Sequence, residues 1–145
     1  MKVADVMTRH VETVQAEESV AEAASIMRNK GVGALPVYMS DVLIGMITDR
    51  DITVEATAIG LNPNKTKVES VMSWYPETCR EDDTVDEAAR IMEEKGVRRL
   101  IVLGEDRRVS GIVTVTDLAG RAHRSKLVEE VLTRTSHGPV TRIRL

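Results

Sequence analysis

Apolar positions along this chain change period several times, and the changes come round twice. Val20, Ala23, Ala24 and Met27 follow i, i+3, i+4, i+7 spacing, as do Val85, Ala88, Ala89 and Met92. Such spacing predicts two helices, each with one apolar stripe for a core. Ser19-x-x-Glu22 and Thr84-x-x-Glu87 open the two stripes. A hydroxyl and a carboxylate so placed satisfy two otherwise unpaired backbone N–H groups at a helix start. Gly31 and Gly96 follow the last polar turn, where a residue tolerant of positive φ ends a helix at least cost. Apolar runs 34–38 and 42–48 predict paired strands with a turn near Ser40 and Asp41; runs 99–103 and 108–114 predict their counterparts across Gly104, Glu105, Asp106 and Arg107. Further helices are expected from about Arg50 and from about Thr116. Short strands at Glu12-Thr13-Val14 and Glu77-Thr78-Cys79 complete a β-α-β-β-α order in each half.

The halves also agree residue by residue. Val3-Ala4-Asp5-Val6-Met7-Thr8 returns as Val68-Glu69-Ser70-Val71-Met72-Ser73, an offset of 65. After one inserted residue, Gly45-Met46-Ile47-Thr48-Asp49-Arg50-Asp51 faces Gly111-Ile112-Val113-Thr114-Val115-Thr116-Asp117. A period this long, present only twice, predicts two similar subdomains about a pseudo-two-fold axis and not an open solenoid. The expected fold class is α/β (α+β). Repeat 1 spans residues 1–60, a linker 61–67, repeat 2 68–122 and a basic C-terminal tail 123–145.

Composition narrows the class. Over 145 residues, 42% apolar with 30% charged is ordinary for a soluble globular protein. Phe is absent and aromatics total 2%, so the core must come from Val, Ile, Leu, Ala and the seven methionines. Platforms for stacking single-stranded nucleic acid are correspondingly scarce. No apolar run approaches the roughly 20 residues of a membrane span, and the start Met1-Lys2-Val3-Ala4-Asp5 lacks the apolar stretch of a secretion signal. A cytoplasmic location is expected. The lone Cys79 aligns with Val14 and reads as a small buried hydrophobe ahead of a reactive thiol.

The order Val-Met-Thr, an Ala-Ala helix ending in Gly, a Leu-Pro-Val strand and then Gly-x-x-Thr-x-x-Asp returns in the second repeat with Val-Met-Ser and Leu-Ile-Val as its variants, the whole lying between Val3 and about Ala122. This order resembles the CBS domain, and two in tandem resemble a Bateman module of the stand-alone prokaryotic type. The resemblance implies a regulatory or sensor module in signal transduction. It would bind an adenosine-containing ligand (AMP, ADP, ATP or S-adenosylmethionine) in the clefts between the repeats, with no required cofactor and no catalysis. A homodimer and an unknown regulated protein are the implied partners. The alternative is a structural or protein-interaction pair that does not bind nucleotide.

The residues give that role a physical basis. A strand ends at Thr48 or Thr114 and a helix begins just beyond, so unpaired N–H groups and the positive dipole end are expected to face a phosphate. Thr48 and Thr114 add a hydroxyl donor, and Asp51 and Asp117 offer carboxylate oxygens suited to the two hydroxyls of a ribose. The same spacing also fits plain helix capping. The repeats differ where charge matters: Arg98 and Arg99 stand where the first repeat has Gly33 and Ala34, while Arg50 stands where the second has Thr116. By resemblance, Arg98 and Arg99 would neutralise phosphates, a task suited to the guanidinium fork; otherwise they cover surface or pair with Glu93, Glu94 or Asp106. The resemblance also implies base contacts from backbone near Val11 to Thr13, Pro76 to Thr78, Leu35-Pro36 and Leu100-Ile101.

Catalysis finds little support. His10, His123 and His137 are not repeated and none has a partner at ligand spacing, so neither a nucleophile–base pair nor a metal centre is expected. From Ala119 on, Arg121, Arg124, Lys126, Arg134, Arg142 and Arg144 face only Glu129 and Glu130. Leu127, Val128, Val131 and Leu132 predict an apolar helical strip ending before Ser136-His137-Gly138-Pro139, and 141–145 alternates like an edge strand. A basic tail suits nucleic acid, yet one lying on the acidic body or on a partner subunit is the expectation.

Overall fold

The computed structural model describes residues 1–136, so His137 and the expected edge strand lie outside the described residues. In chain order the first elements are α1 (Val3–Val6), β1 (Val14–Gln15), α2 (Val20–Lys30), β2 (Ala34–Met39), β3 (Val42–Thr48) and α3 (Asp49–Ile52), which runs on as a π-helical turn over Thr53–Thr57. A 3-10 turn (Val68–Ser70) leads to β4 (Ser73–Trp74), β5 (Thr78–Arg80) and α4 (Val85–Lys95). Then come β6 (Arg99–Leu103), β7 (Val109–Thr114), α5 (Val115–Gly120) and α6 (Ser125–Ser136). The fold is mixed α+β with two sheets, ordered β1-β2-β3-β4 and β5-β6-β7. In each, a short parallel partner precedes an antiparallel hairpin: Val14 pairs with Val37 and Cys79 with Val102, while Ala34 pairs with Thr48 and Arg99 with Thr114.

Helix ends follow local chemistry. At α4 both arms of the capping box form, Thr84 Oγ1 accepting from Glu87 N–H at 3.1 Å and Glu87 accepting from Thr84 N–H at 2.9 Å. At α2 the Ser19 hydroxyl accepts from Glu22 N–H at 3.1 Å, and among the described residues the return arm is not made. Linker carbonyls serve this helix instead, Val20 N–H donating to Thr66 and Ala21 N–H to Pro63 at 2.8 and 2.9 Å. Gly31 and Gly96 both close their helices at φ 66°, where a Cβ would be penalised.

Two compact units form, and they divide the chain differently from its repeats. One is Val11–Pro76; the other joins Met1–His10 to the chain from Glu77 on. The leader of each repeat, ending in Val6-Met7-Thr8 or Val71-Met72-Ser73, is thus built into the unit made by the other repeat's helices and sheet. Val3, Val6 and Met7 sit in one core with Met92, Leu100 and Leu118. Val68, Val71 and Met72 sit in the other with Val20, Leu35 and Ile47. Sequence periodicity alone gave no sign of α1, the 3-10 turn or β4, the short elements through which these leaders pack. At about 1.5–3 kcal/mol for each fully buried Val, Leu, Ile or Met, these exchanged side chains are a substantial part of each core.

Cys79 is buried on β5, and burial, aided by Asp83, raises its thiol pKa from 9.0 to about 12. Helix α6 adds Leu127, Val128 and Val131 to the second core. Its basic residues meet α4 carboxylates: Arg134 Nε lies 3.4 Å from Glu93 Oε1, and Arg124, just ahead of α6, places Nη2 2.7 Å from Asp86 Oδ1. This part of the tail lies on the acidic body, as its charge suggested. No helix among the described residues is long and apolar enough to cross a membrane.

Candidate functional site

In the unit containing α4, the end of β7 and the start of β6 lie side by side. Arg99 pairs with Thr114 across the strands, and Arg98 O accepts from Val115 N–H at 2.9 Å. Five sequence-predicted residues, Arg98, Arg99, Thr114, Thr116 and Asp117, therefore converge on one strand-to-helix junction. Arg98 and Thr116 are exposed, and Arg99, Thr114 and Asp117 half-buried. Glu93, a candidate partner for these arginines, is occupied by Arg134.

The junction is capped more completely than sequence spacing implied. Thr114 Oγ1 accepts from Asp117 N–H at 3.2 Å and donates to Asp117 Oδ2 at 3.1 Å; the same Oδ2 accepts from Thr114 N–H at 2.9 Å. The threonine proton and one carboxylate oxygen are consumed by the cap. Val115 N–H is spent on Arg98 O and Asp117 N–H on the cap, and the six residues of α5 supply only a short dipole. Arg98 and Arg99 bring two guanidinium groups to this junction. The capping and ligand readings of Asp117 coexist, because Oδ1 stands outside the cap.

The equivalent junction in Val11–Pro76 is built alike and charged differently. Thr48 Oγ1 accepts from Asp51 N–H at 3.0 Å, and Asp51 Oδ2 from Thr48 N–H at 2.9 Å. Asp49 N–H donates to Gly33 O at 3.0 Å, and Arg50 N–H donates to Asp49 Oδ1 at 2.8 Å. All three leading amides of α3 are taken. The expectation of phosphate on free amides fails at this junction for that reason. Gly33 stands where the second repeat has Arg98, and a Cβ there would lie 3.0 Å from Asp49 Oδ2, so a side chain at this position would require the Asp49 carboxylate to give way. In the second repeat that neighbour is the apolar Val115. Asp49 was legible in the repeat alignment as an acidic residue opposite Val115, and its role was missed. Arg50 is exposed on α3.

The residues implied in base recognition lie where β1 meets β2 and β5 meets β6. Val11 and Thr13 precede the Val14–Val37 pair, as Leu35 and Pro36 do on the facing strand. Thr78 pairs directly with Ile101, and Pro76 closes the first unit. Leu35 and Ile101 are fully buried and Pro36 is buried, which leaves backbone groups as their polar surface. The copies differ in one such group: Ile101 N–H donates to Glu77 O at 3.1 Å, whereas Pro36 has no N–H for Glu12. A cleft of about 640 Å³ lies elsewhere, between Glu81–Asp82 and Glu105–Asp106. None of the predicted residues lines it, and its interspersed Lys2, Arg80 and Arg108 leave it without a dominant charge.

The CBS domain family model matches residues 3–56 and 68–124. The CBS domain-containing protein YhcV of Bacillus subtilis is 37% identical over 135 residues, covering 93% of this chain and 95% of that protein. Among solved structures, the CBS domain pair of MJ0100 in complex with 5'-methylthioadenosine and S-adenosyl-L-methionine aligns at TM-score 0.72 and 31% identity, over 87% of this chain and 98% of that one. CBSX2 in complex with AMP aligns at TM-score 0.69 and 27% identity, over 86% and 98%. A twofold sequence, two sheets with a Gly-x-x-Thr-x-x-Asp junction in each unit, and these matches lead to one conclusion: the chain belongs to the CBS domain family, as a tandem CBS pair of prokaryotic type.

Proposed function

We propose that this chain is a non-catalytic regulatory module that binds an adenosine-containing ligand, with AMP, ADP, ATP and S-adenosylmethionine as candidates. The observation that carries the reading is the convergence of Arg98, Arg99, Thr116 and Asp117 on the β7–α5 junction. Two guanidinium groups supply the charge for phosphate, and Asp117 Oδ1 supplies an acceptor for ribose. Relatives solved with AMP and with S-adenosyl-L-methionine support the ligand class. The Val11–Pro76 junction, with Asp49 and Asp51 beside Arg50, suits the uncharged or cationic part of such a ligand better than phosphate. Regulation is exerted on a separate protein from a cytoplasmic homodimer.

Calorimetric titration of an Arg98→Ala/Arg99→Ala variant with adenosine, AMP and ATP tests the assignment. Loss should grow with phosphate charge, about tenfold or more for ATP when charge-assisted bonds worth about 1.5–3 kcal/mol each are removed, and adenosine should bind as to wild type. Equal binding of all three would leave the arginines as surface residues and favour an interaction pair that does not bind nucleotide.

A further inference from the structure

The family match ends at residue 124, and α6 (Ser125–Ser136) begins directly after it. This added helix reaches back to the junction. Arg98 Nε donates to Thr135 Oγ1 at 2.9 Å, and Thr135 Oγ1 in turn donates to Val131 O at 2.9 Å. Thr135 is 9% exposed, the one buried polar residue among those described, and Val131 beside it is 1% exposed. An otherwise long and mobile side chain is therefore tied by its inner nitrogen to a packed helix, while the Arg134–Glu93 pair secures the same turn.

We propose that Thr135 is a positioning residue, through which the C-terminal helix presets Arg98 for an anionic group of the ligand. This inference rests on the assignment of Arg98 to phosphate. A guanidinium held at Nε keeps Nη1 and Nη2 for end-on, two-point contact with phosphate oxygens. Ordering the side chain before binding removes an entropy cost that binding would otherwise carry. By linkage, a ligand that engages Arg98 must also favour docking of α6, so the helix reports occupancy at the C-terminal end of the chain.

The test uses the full chain titrated with adenosine and AMP, comparing wild type with Thr135→Val, Thr135→Ser and Arg98→Ala. Thr135→Val should lower the AMP-over-adenosine preference roughly three- to tenfold, the worth of one hydrogen bond. Thr135→Ser should restore it, and Thr135→Val should add nothing in an Arg98→Ala background. In wild type, AMP should slow amide exchange in α6, and adenosine should not. If Arg98→Ala lowers the preference and Thr135→Val leaves it unchanged, the positioning role is overturned and the phosphate assignment stands. If Arg98→Ala also leaves it unchanged, or wild type binds neither compound, the assignment beneath the inference has failed and the inference falls with it.

Discussion

A Cβ added to Gly111 would lie 2.7 Å from the carbonyl oxygen of Thr8, a residue from the other end of the sequence. Thr8 and Ile112 exchange backbone hydrogen bonds at 2.9 and 3.0 Å at this point, so that oxygen is held in place. Gly45 stands in the same relation to Ser73 O, also at 2.7 Å. The glycine of Gly-x-x-Thr-x-x-Asp is thus required by the leader segment crossing beside β3 or β7. Gly111→Ala and Gly45→Ala should each destabilise the protein by about 1–3 kcal/mol, as overpacking against fixed backbone does. Gly120→Ala, with nothing within 4 Å of its Cβ, should be neutral or stabilising by about 0.5–1 kcal/mol. Urea denaturation of the three variants checks this, and a stable Gly111→Ala would contradict the close approach.

Asp117 serves both cap and site, and the two roles separate by substitution. Asp117→Ala removes the acceptor for Thr114 N–H and should cost about 1 kcal/mol of stability along with ligand affinity. Asp117→Asn keeps an acceptor for the cap and loses the charge, so stability should be largely retained while ribose binding weakens. Denaturation and titration of both variants would show whether affinity and stability part company in this way.

Cys79 should be inert in the native protein. Its thiol pKa is pushed up to about 12 by burial and then by Asp83, so the thiolate that reacts is scarce at neutral pH. The sign for stability follows: the folded pKa exceeds the unfolded one, so the contribution is complete below about pH 9 and is lost as pH rises toward 12. Labelling with an aromatic disulfide at pH 8 should proceed only at the rate of unfolding. Rapid stoichiometric labelling of the native protein would contradict the burial.

Among the exposed apolar residues, three follow Thr48 on one segment suited to a second copy: Val54 is 43% exposed, Ile59 66% and Leu61 38%. On the other junction Leu118 is buried in its own core, with α6 packed on α5. Light scattering should report about twice the 16.0 kDa chain mass, and Val54→Glu or Ile59→Glu should lower it. A wild-type monomer at high concentration would contradict the homodimer.

The sequence marked elements that rest on local rules. Thr84-x-x-Glu87, Gly96 and the Val85 to Met92 stripe each have a local cause and appear where expected. What escaped depends on contacts distant in sequence. Nothing near Val3 or Val68 signals that each leader packs into the other unit. His10 and its repeat equivalent Tyr75 adopt φ of 57° and 55°, a left-handed conformation that is uncommon for any residue but glycine and that tyrosine does not announce. At the site, residue types were legible and their prior commitments were not. The amides of Asp49, Arg50 and Asp51 looked free in sequence and are all engaged. Thr135 carried no pattern at all, because its meaning lies in a bond to Arg98 across 37 residues.

The central claim is that the folded chain binds an adenosine compound, and thermal unfolding with AMP, ADP, ATP, S-adenosylmethionine, 5'-methylthioadenosine and adenosine tests it most directly. A ligand at a hundredfold excess over Kd stabilises the fold by about 2.7 kcal/mol, which for a chain of this size raises Tm by roughly 5–10 °C. At least one of the six should produce such a shift, saturably and in proportion to the logarithm of its concentration. No shift with any of them at millimolar concentration would contradict the account.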